Sequence, residues 1–305
     1  KEVVWDGVIT PDSMWSYARE TSAKEQMRAC YENLVDEELS GIEAITNENR
    51  AKNLHERFSQ EKMYKQFVTI DFLSKNKNSF FILSNFLLLN TGCYDFILNN
   101  LKYVIYEHDH KYLKRRNPAE YENYKAPKTE IVNLQLYKKA IAILCQSSFH
   151  KNIVEKNIDL QNIINLSGNL WSLSTLEVLK KNSQKSKHDV VSIIESNNWH
   201  KNTSDAISYC KIKKLNYQLI RSSPYEKFLN NLSNNNKLVF FPKTPETLSR
   251  ICVEARMMGM SVITNRNVGA SYEDWFSLKG GDMIDFMKNK RIEISQTIKD
   301  LISEE

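Results

Sequence analysis

Two glutamates eight positions apart, Glu246 and Glu254, stand in the segment FFPKTPETLSRICVEARMMGMSVITNRNVGASYEDWF, residues 240–276. A strand ending at Pro242 and a turn at Thr244-Pro245 predict a helix opening at Glu246. Eight residues is ~800° of helical rotation at ~100° per residue, about 80° past two full turns, so the carboxylates lie two turns apart on neighbouring faces. At the mouth of such a helix the free N–H groups of Thr247, Leu248 and Ser249, with the positive end of the helix dipole, form an anion site suited to a diphosphate. Glu246 then borders the cleft, and Glu254 can reach a sugar hydroxyl such as that of a ribose. The plainer alternative is a pair of solvated glutamates.

A second set of ionisable groups follows the strand-like run KYVIYEH, which leads into HDHKYLKRRNP. His108, Asp109 and His110 sit at its carboxyl end, where an α/β sheet places its site. The His-x-His pair has no third and fourth ligand at zinc-like spacing, so no metal site is expected. Lys111, Lys114, Arg115 and Arg116, with Lys125 further on, form the densest basic stretch. It reads either as a solvated helix face or, with Asp109, as an acceptor-side patch for a phosphorylated glycan, a lipid headgroup or a DNA backbone. Tyr112, Tyr121 and Tyr124 are placed to stack on a sugar or base, or simply to pack.

The elements that must position these groups alternate. SFFILSNFLLLN, KYVIYEH and AIAILCQS are short apolar runs separated by the helical segments CYDFILNN and VNLQLYKKA. HDVVSIIES, NYQLI, KLVFFP and MSVITN repeat the rhythm later, with helices through SDAISYCKIKK, YEKFLNNL and ETLSRICVEARMMG. Such βαβ alternation argues for parallel sheets covered on both faces. The first 75 or so residues read as a strand at Glu2–Trp5, a turn at Asp6-Gly7 and two or three helices. NNLSNNNK reads as an Asn-rich turn, and the Ser- and Lys-rich stretch between Gly168 and Lys187 as a domain boundary. The expected division is 1–168, an acceptor-side Rossmann-like domain with a helical insertion; 169–290, a donor-binding domain; and 291–305, a helix packing back on the first domain.

The 240–276 segment resembles the donor-binding segment of retaining glycosyltransferases of the two-domain GT-B architecture, the group called glycosyl transferases group 1 or family 4. Their signature runs P-x-x-E-x7-E-A-x-x-x-G-x-P-V-I-x-x-x-x-x-G. Here Glu246, Glu254, Ala255, Gly259, Val262, Ile263 and Gly269 match it, with Pro242 one position farther from Glu246 than the first proline of the signature and Ser261 in place of the second. The resemblance implies two doubly wound Rossmann-like domains facing a cleft, in which Glu246 contacts the transferred sugar, the amides at Thr247 and Leu248 hold the diphosphate, and Glu254 holds the ribose. The family also carries an Arg-x4-Lys-Gly pair for the diphosphate. In ESNNWHKNTSD only Lys201 aligns; Ser196 and Asn202 replace the arginine and glycine, so Arg250 or Arg221 would have to supply the missing charge. His108 falls near the place of a family residue facing the sugar, and Gly7 near a glycine loop under the donor phosphates. The family needs no catalytic metal and no cofactor beyond its UDP- or GDP-linked donor.

The composition is that of an ordinary soluble protein with a large core. The 305 residues are 41% hydrophobic and 26% charged, with net charge +5, too mild to demand a nucleic-acid partner. Cys30, Cys93, Cys145, Cys210 and Cys252 are scattered and odd in number, which argues against a disulfide framework. No signal-peptide pattern opens KEVVWDGVITPD and no apolar run reaches the ~20 residues of a membrane span. The expectation is a cytoplasmic protein, with peripheral attachment at a membrane surface compatible, of unspecified oligomeric state. Its expected activity is transfer of a sugar from a nucleotide donor to a glycan or glycolipid acceptor. The rival expectations are a phage-type DNA glycosyltransferase acting on hydroxymethylated bases, and a non-catalytic nucleotide-sugar-binding protein.

Overall fold

The computed structural model of the chain describes residues 68–87 and 89–303, together with the backbone of two strands, β1 (Ile42–Thr46) and β2 (Lys62–Tyr64). The expected strand at Glu2–Trp5, the turn at Asp6-Gly7 and most of the helix-patterned early region lie outside the described residues. Where that region is described, IEAIT is a strand and not part of a helix. Its β-branched residues pair in parallel with β2 on one side and with β3 (Phe80–Leu83) on the other, and this pairing overrides the local helical spacing.

The first sheet continues with β4 (Lys102–Tyr106), β5 (Ile143–Cys145) and β6 (Ile163–Asn165) in the order β2-β1-β3-β4-β5-β6, all parallel. Helices α1 (Ile70–Lys75), α2 (Thr91–Asn100), α3 (Leu134–Lys139) and α4 (Ser148–Asn157) connect the strands. The side chains of Thr69, Asn90 and Ser147 cap α1, α2 and α4 by accepting a first-turn amide. Successive strand residues enter different cores. Phe81, Leu83, Tyr103 and Ile105 pack on one face, while Phe80, Ile82, Val104 and Tyr106 pack on the other.

The second sheet holds β7 (His188–Ile194), β8 (Tyr217–Ile220), β9 (Asn235–Phe240) and β10 (Ser261–Thr264) in the order β10-β9-β7-β8, again all parallel. Helices α5 (Leu173–Ser183), α6 (Thr203–Ile212), α7 (Tyr225–Leu232) and α8 (Arg250–Met257) cover it. The last helix, α9 (Gly280–Ser303), buries Met283, Ile284 and Met287 with the core of the second sheet and Ile294 and Ile298 with that of the first. Among the described residues no helix is long and apolar enough to cross a membrane.

Candidate functional site

The strand order of the second sheet reverses between β7 and β9, so the segments leaving their carboxyl ends diverge and open a crevice. One segment is the single helical turn Trp199–Lys201, the other the loop from Phe241 to Ser249. They are tied together by Asn202 Nδ2 donating to the Phe241 carbonyl at 2.8 Å and by the Lys243 amide donating to the His200 carbonyl at 3.0 Å. Across the crevice Lys201 Nζ donates to Glu246 Oε1 at 2.9 Å, and the ammonium lies 5.5 Å from the centre of the Phe240 ring. The Glu246 charge raises the Lys201 pKa above its ordinary value despite partial burial.

Glu246 does not open a helix. Its amide donates to the Asn267 carbonyl at 2.7 Å and its carbonyl accepts from the Gly269 amide at 2.9 Å, a parallel bridge centred on Val268 that holds it extended. Helix α8 starts only at Arg250, after Ser249 adopts a left-handed conformation at φ 69°. The anion site expected at a helix mouth is therefore a loop followed by a helix start. Among the described residues no acceptor takes the backbone amides from Thr247 through Ile251, so donors from an extended loop and from the first turn of α8 stand together without a partner in the fold.

Thr247 also joins the two sheets. Its hydroxyl lies 3.0 Å from the His108 carbonyl and 2.9 Å from Gln146 Oε1, while the Ser147 hydroxyl donates to the Thr247 carbonyl at 2.6 Å. A Cβ on Gly269 would stand 2.3 Å from the Thr247 oxygen and 2.5 Å from Ser147 Oγ, so only glycine admits this approach. Leu248 buries its side chain in the core of the second sheet, and the Ser249 hydroxyl turns to Cys252 Sγ at 3.4 Å.

Glu254 is nearly buried, at 4% exposure. Its Oε1 accepts from Trp171 Nε1 at 3.0 Å and from the Tyr225 hydroxyl at 2.8 Å, with Arg250 Nε 3.5 Å away. Arg250 is itself held, its guanidinium 4.4 Å from the Trp171 ring centre and donating to the Leu170 carbonyl at 2.9 Å. Arg221 pairs with Glu195 at 2.8 Å and is largely exposed. The two candidate replacements for the missing arginine thus already have partners.

The stretch after β4 departs most from expectation. Lys111 is fully buried, 2.9 Å from Glu107 Oε1 and 2.7 Å from Asp109 Oδ1, so it belongs to the interior and not to an acceptor-facing patch. Glu107 organises the turn: Oε1 also accepts from the amides of His108 at 2.8 Å and Asp109 at 3.0 Å, and Oε2 from the Tyr137 hydroxyl. Burial opposes its ionisation, yet Lys111, with His150 and the Asp109 amide, holds its pKa below the ordinary value. The exposed basic residues are each matched by a carboxylate: Lys114 with Glu130 at 3.4 Å, Arg115 with Glu120 at 3.5 Å and Arg116 with Asp109 at 3.3 Å. The His108 ring turns inward, Nδ1 lying 3.1 Å from the Tyr106 carbonyl, so at the seam His108 offers its carbonyl to Thr247. His110 is buried and held by burial to a pKa of about 4, and packs 5.1 Å from the ring of His150, whose pKa burial also lowers. Among the described residues no group of three His, Cys, Asp or Glu side chains converges on a metal position.

Gln146, Ser147, Trp171, Tyr225 and Trp199 escaped the sequence reading. The first two were legible as polar residues at the carboxyl end of β5, with Ser147 the cap of α4. Trp171 and Tyr225 carried no spacing signal, because they meet Glu254 through tertiary packing. Trp199 is 56% exposed and stacked on His200 beside Lys201. Gly7 lies outside the described residues.

No family model matches the chain, and no curated protein matches it in sequence. Several solved structures do resemble it. The crystal structure of TarM superposes with a TM-score of 0.44 at 16% identity, covering 74% of this chain and 50% of that one; the chain therefore spans about half the length of TarM. HepE from Anabaena, in complex with UDP-glucose, gives 0.47 at 12% identity over 85% of this chain and 91% of its own. An α-glucosyltransferase in complex with UDP and a 13-mer DNA containing an HMU base gives 0.43 at 10% identity over 84% and 90%.

Proposed function

We propose that this chain is a nucleotide-sugar-dependent glycosyltransferase of GT-B type, with the two parallel sheets as its acceptor-side and donor-binding domains. One observation carries the reading: the open amides from Thr247 to Ile251 border the Lys201–Glu246 pair within a segment that matches the family signature. A diphosphate is the anion that this combination of backbone donors, helix start and ammonium suits. On binding, Lys201 exchanges Glu246 for phosphate oxygen, and the freed carboxylate fixes the hydroxyls of the sugar. In the transfer step the bond from the anomeric carbon to the diphosphate oxygen breaks and the diphosphate departs with the electron pair. The acceptor hydroxyl oxygen bonds to the same sugar face and its proton passes to the departing phosphate, giving retention without a side-chain nucleophile.

The acceptor proposed is a glycan or glycolipid. DNA is the weaker reading, because the basic residues at 114–116 are each matched by a carboxylate and Lys111 is interior. The test is a thermal-shift screen with UDP, GDP, UDP-glucose and pyrophosphate. A nucleoside diphosphate at a hundredfold excess over its Kd stabilises a fold by about 2.7 kcal/mol, enough to raise Tm measurably. With the donor identified, sugar transfer should persist in EDTA. The absence of any nucleotide-dependent shift up to millimolar concentration would contradict the reading.

A further inference from the structure

The single turn Trp199–Lys201 carries more than the lysine that pairs with Glu246. Trp199 keeps 56% of its surface in water. Its ring centre lies 4.0 Å from that of His200 at an interplanar angle of 30°, so one indole face is covered and the exposure belongs to the other face and the ring edge. The turn beneath it is braced. Asn202 Nδ2 donates to the Phe241 carbonyl, the Lys243 amide donates to the His200 carbonyl, and Asn198 Oδ1 accepts the His200 amide at 3.0 Å. The indole is therefore a held platform at the mouth of the crevice.

The same turn stands near the first-sheet side. Burial and the Lys201 charge lower the His200 pKa, while the charges of Glu246 and Glu120 oppose that lowering, which places Glu120, in the turn Pro118–Glu120 after β4, close to His200. Glu120 Oε2 lies 3.5 Å from Arg115 Nη1, and Oε1 lies 3.4 Å from Asn117 Nδ2. Both contacts are at the long limit for hydrogen bonds, so the carboxylate keeps capacity to accept further donors. An aromatic face bordered by such a carboxylate suits a pyranose. Its C–H groups carry partial positive charge and pack on the negative face of the ring, while its hydroxyls donate to the carboxylate at the rim.

We infer that Trp199 is the platform on which the acceptor sugar ring packs, with Glu120 accepting its hydroxyls from the first-sheet side. The inference rests on the glycosyltransferase reading and adds to it the residues that choose a pyranose acceptor. Consecutive Cα atoms are 3.8 Å apart, so the backbones of Trp199 and Lys201 are no more than about 8 Å apart, and Lys201 holds Glu246. A sugar on the indole is thus beside the carboxylate proposed to fix the transferred sugar. A nucleobase also stacks on an indole, but the nearness of Glu120, which belongs to the acceptor-side sheet, favours the acceptor.

The experiment compares the parent with Trp199→Ala, Trp199→Tyr and Glu120→Gln on an array of α- and β-linked glucosyl, galactosyl and N-acetylglucosaminyl oligosaccharides, read with saturating UDP or GDP. The strongest binder is then titrated by calorimetry, with UDP affinity, GDP affinity and Tm measured alongside. Trp199→Ala should weaken glycan binding by roughly tenfold or more, the scale of truncating an aromatic anchor, whereas Trp199→Tyr should stay within about threefold of the parent. Glu120→Gln should cost about threefold to tenfold, the scale of a hydrogen bond to a charged group. Nucleotide affinity and Tm should stay at the parental values in all three. Glycan binding unchanged in Trp199→Ala, or equal losses in the alanine and tyrosine variants, would overturn the platform. A loss of nucleotide affinity in Trp199→Ala as large as the loss of glycan affinity, or in its place, would assign the indole to the donor base and overturn it as well. A parent that binds UDP or GDP but no glycan on the array would overturn this inference and leave the donor site standing. A parent that binds no nucleoside diphosphate would overturn both.

Discussion

Glu107 and Glu246 both follow the carboxyl end of a parallel strand, Glu107 directly after β4 and Glu246 six residues beyond β9. Their surroundings differ in what is left unsatisfied. Around Glu107 two amides, an ammonium and a phenol converge on one carboxylate, and the lysine, tyrosine and glutamate are all interior. Around Glu246 a half-exposed ammonium provides one partner, while the adjoining amides from Thr247 to Ile251 have no acceptor among the described residues. A buried polar cluster that satisfies itself specifies structure, whereas donors left open at a strand end are available to a ligand. Chemistry-bearing residue types at a strand end therefore do not by themselves mark a site.

The largest effect should follow from breaking the Glu107 cluster. Lys111→Met leaves a buried carboxylate without its countercharge, and removal of one partner of such a pair costs about 3–5 kcal/mol. Urea denaturation measures this, and a loss near zero would remove the structural role assigned to that region. A slightly smaller effect is expected from acid. The unfolded chain protonates its histidines near pH 6.5, while His110 stays neutral in the fold down to about 4 with Glu107, Asp109, Lys111 and Tyr112 around it. The unfolded state therefore binds more protons in that window, so stability is full above about 6.5 and falls as pH drops toward 4. At 1.36 kcal/mol per unit the His110 contribution is about 3 kcal/mol, and His110→Gln should lessen the pH dependence of the urea midpoint, with His150, also lowered by burial, supplying the remainder. The lowered pKa of Glu107 adds a further loss at still lower pH, as its carboxylate protonates in the fold.

In the other region the expected loss is of function. Glu246→Gln keeps the shape and removes the charge, so turnover with donor and acceptor should fall by roughly 10²-fold, with donor affinity changed much less. Steady-state kinetics decide this, and turnover near the parental value would remove Glu246 from the proposed mechanism.

Much of the scaffold was readable from the chain. The apolar runs of the second half are β7 to β10, and those around residues 80, 104 and 144 are β3 to β5. The three-residue β6 was too short to stand out, and α5 was hidden in a Ser-, Asn- and Lys-rich stretch although Leu176 and Leu179 lie three apart on its buried side. The pairing of Glu246 with Lys201 fits two positions singled out separately, one by helix-start chemistry and one by resemblance. The helix start itself was misplaced because Pro245 followed by glutamate imitates a first turn. A long-range bridge to Val268, invisible to local spacing, keeps Glu246 extended. The same limit applies to Lys111. Within a run of cations it reads as solvated, and only the fold of the 107–111 turn brings Glu107 and Asp109 onto it.

The most direct test of the central claim, that the ligand meets the β9 side through open amides, is a titration of isotope-labelled protein with UDP or GDP, followed through backbone amide resonances. The amides of Thr247 to Ile251 and Lys201 should shift in proportion to occupancy, while those of Glu107 to Lys111 stay in place. Shifts concentrated at 107–111, with 247–251 unmoved, would contradict it.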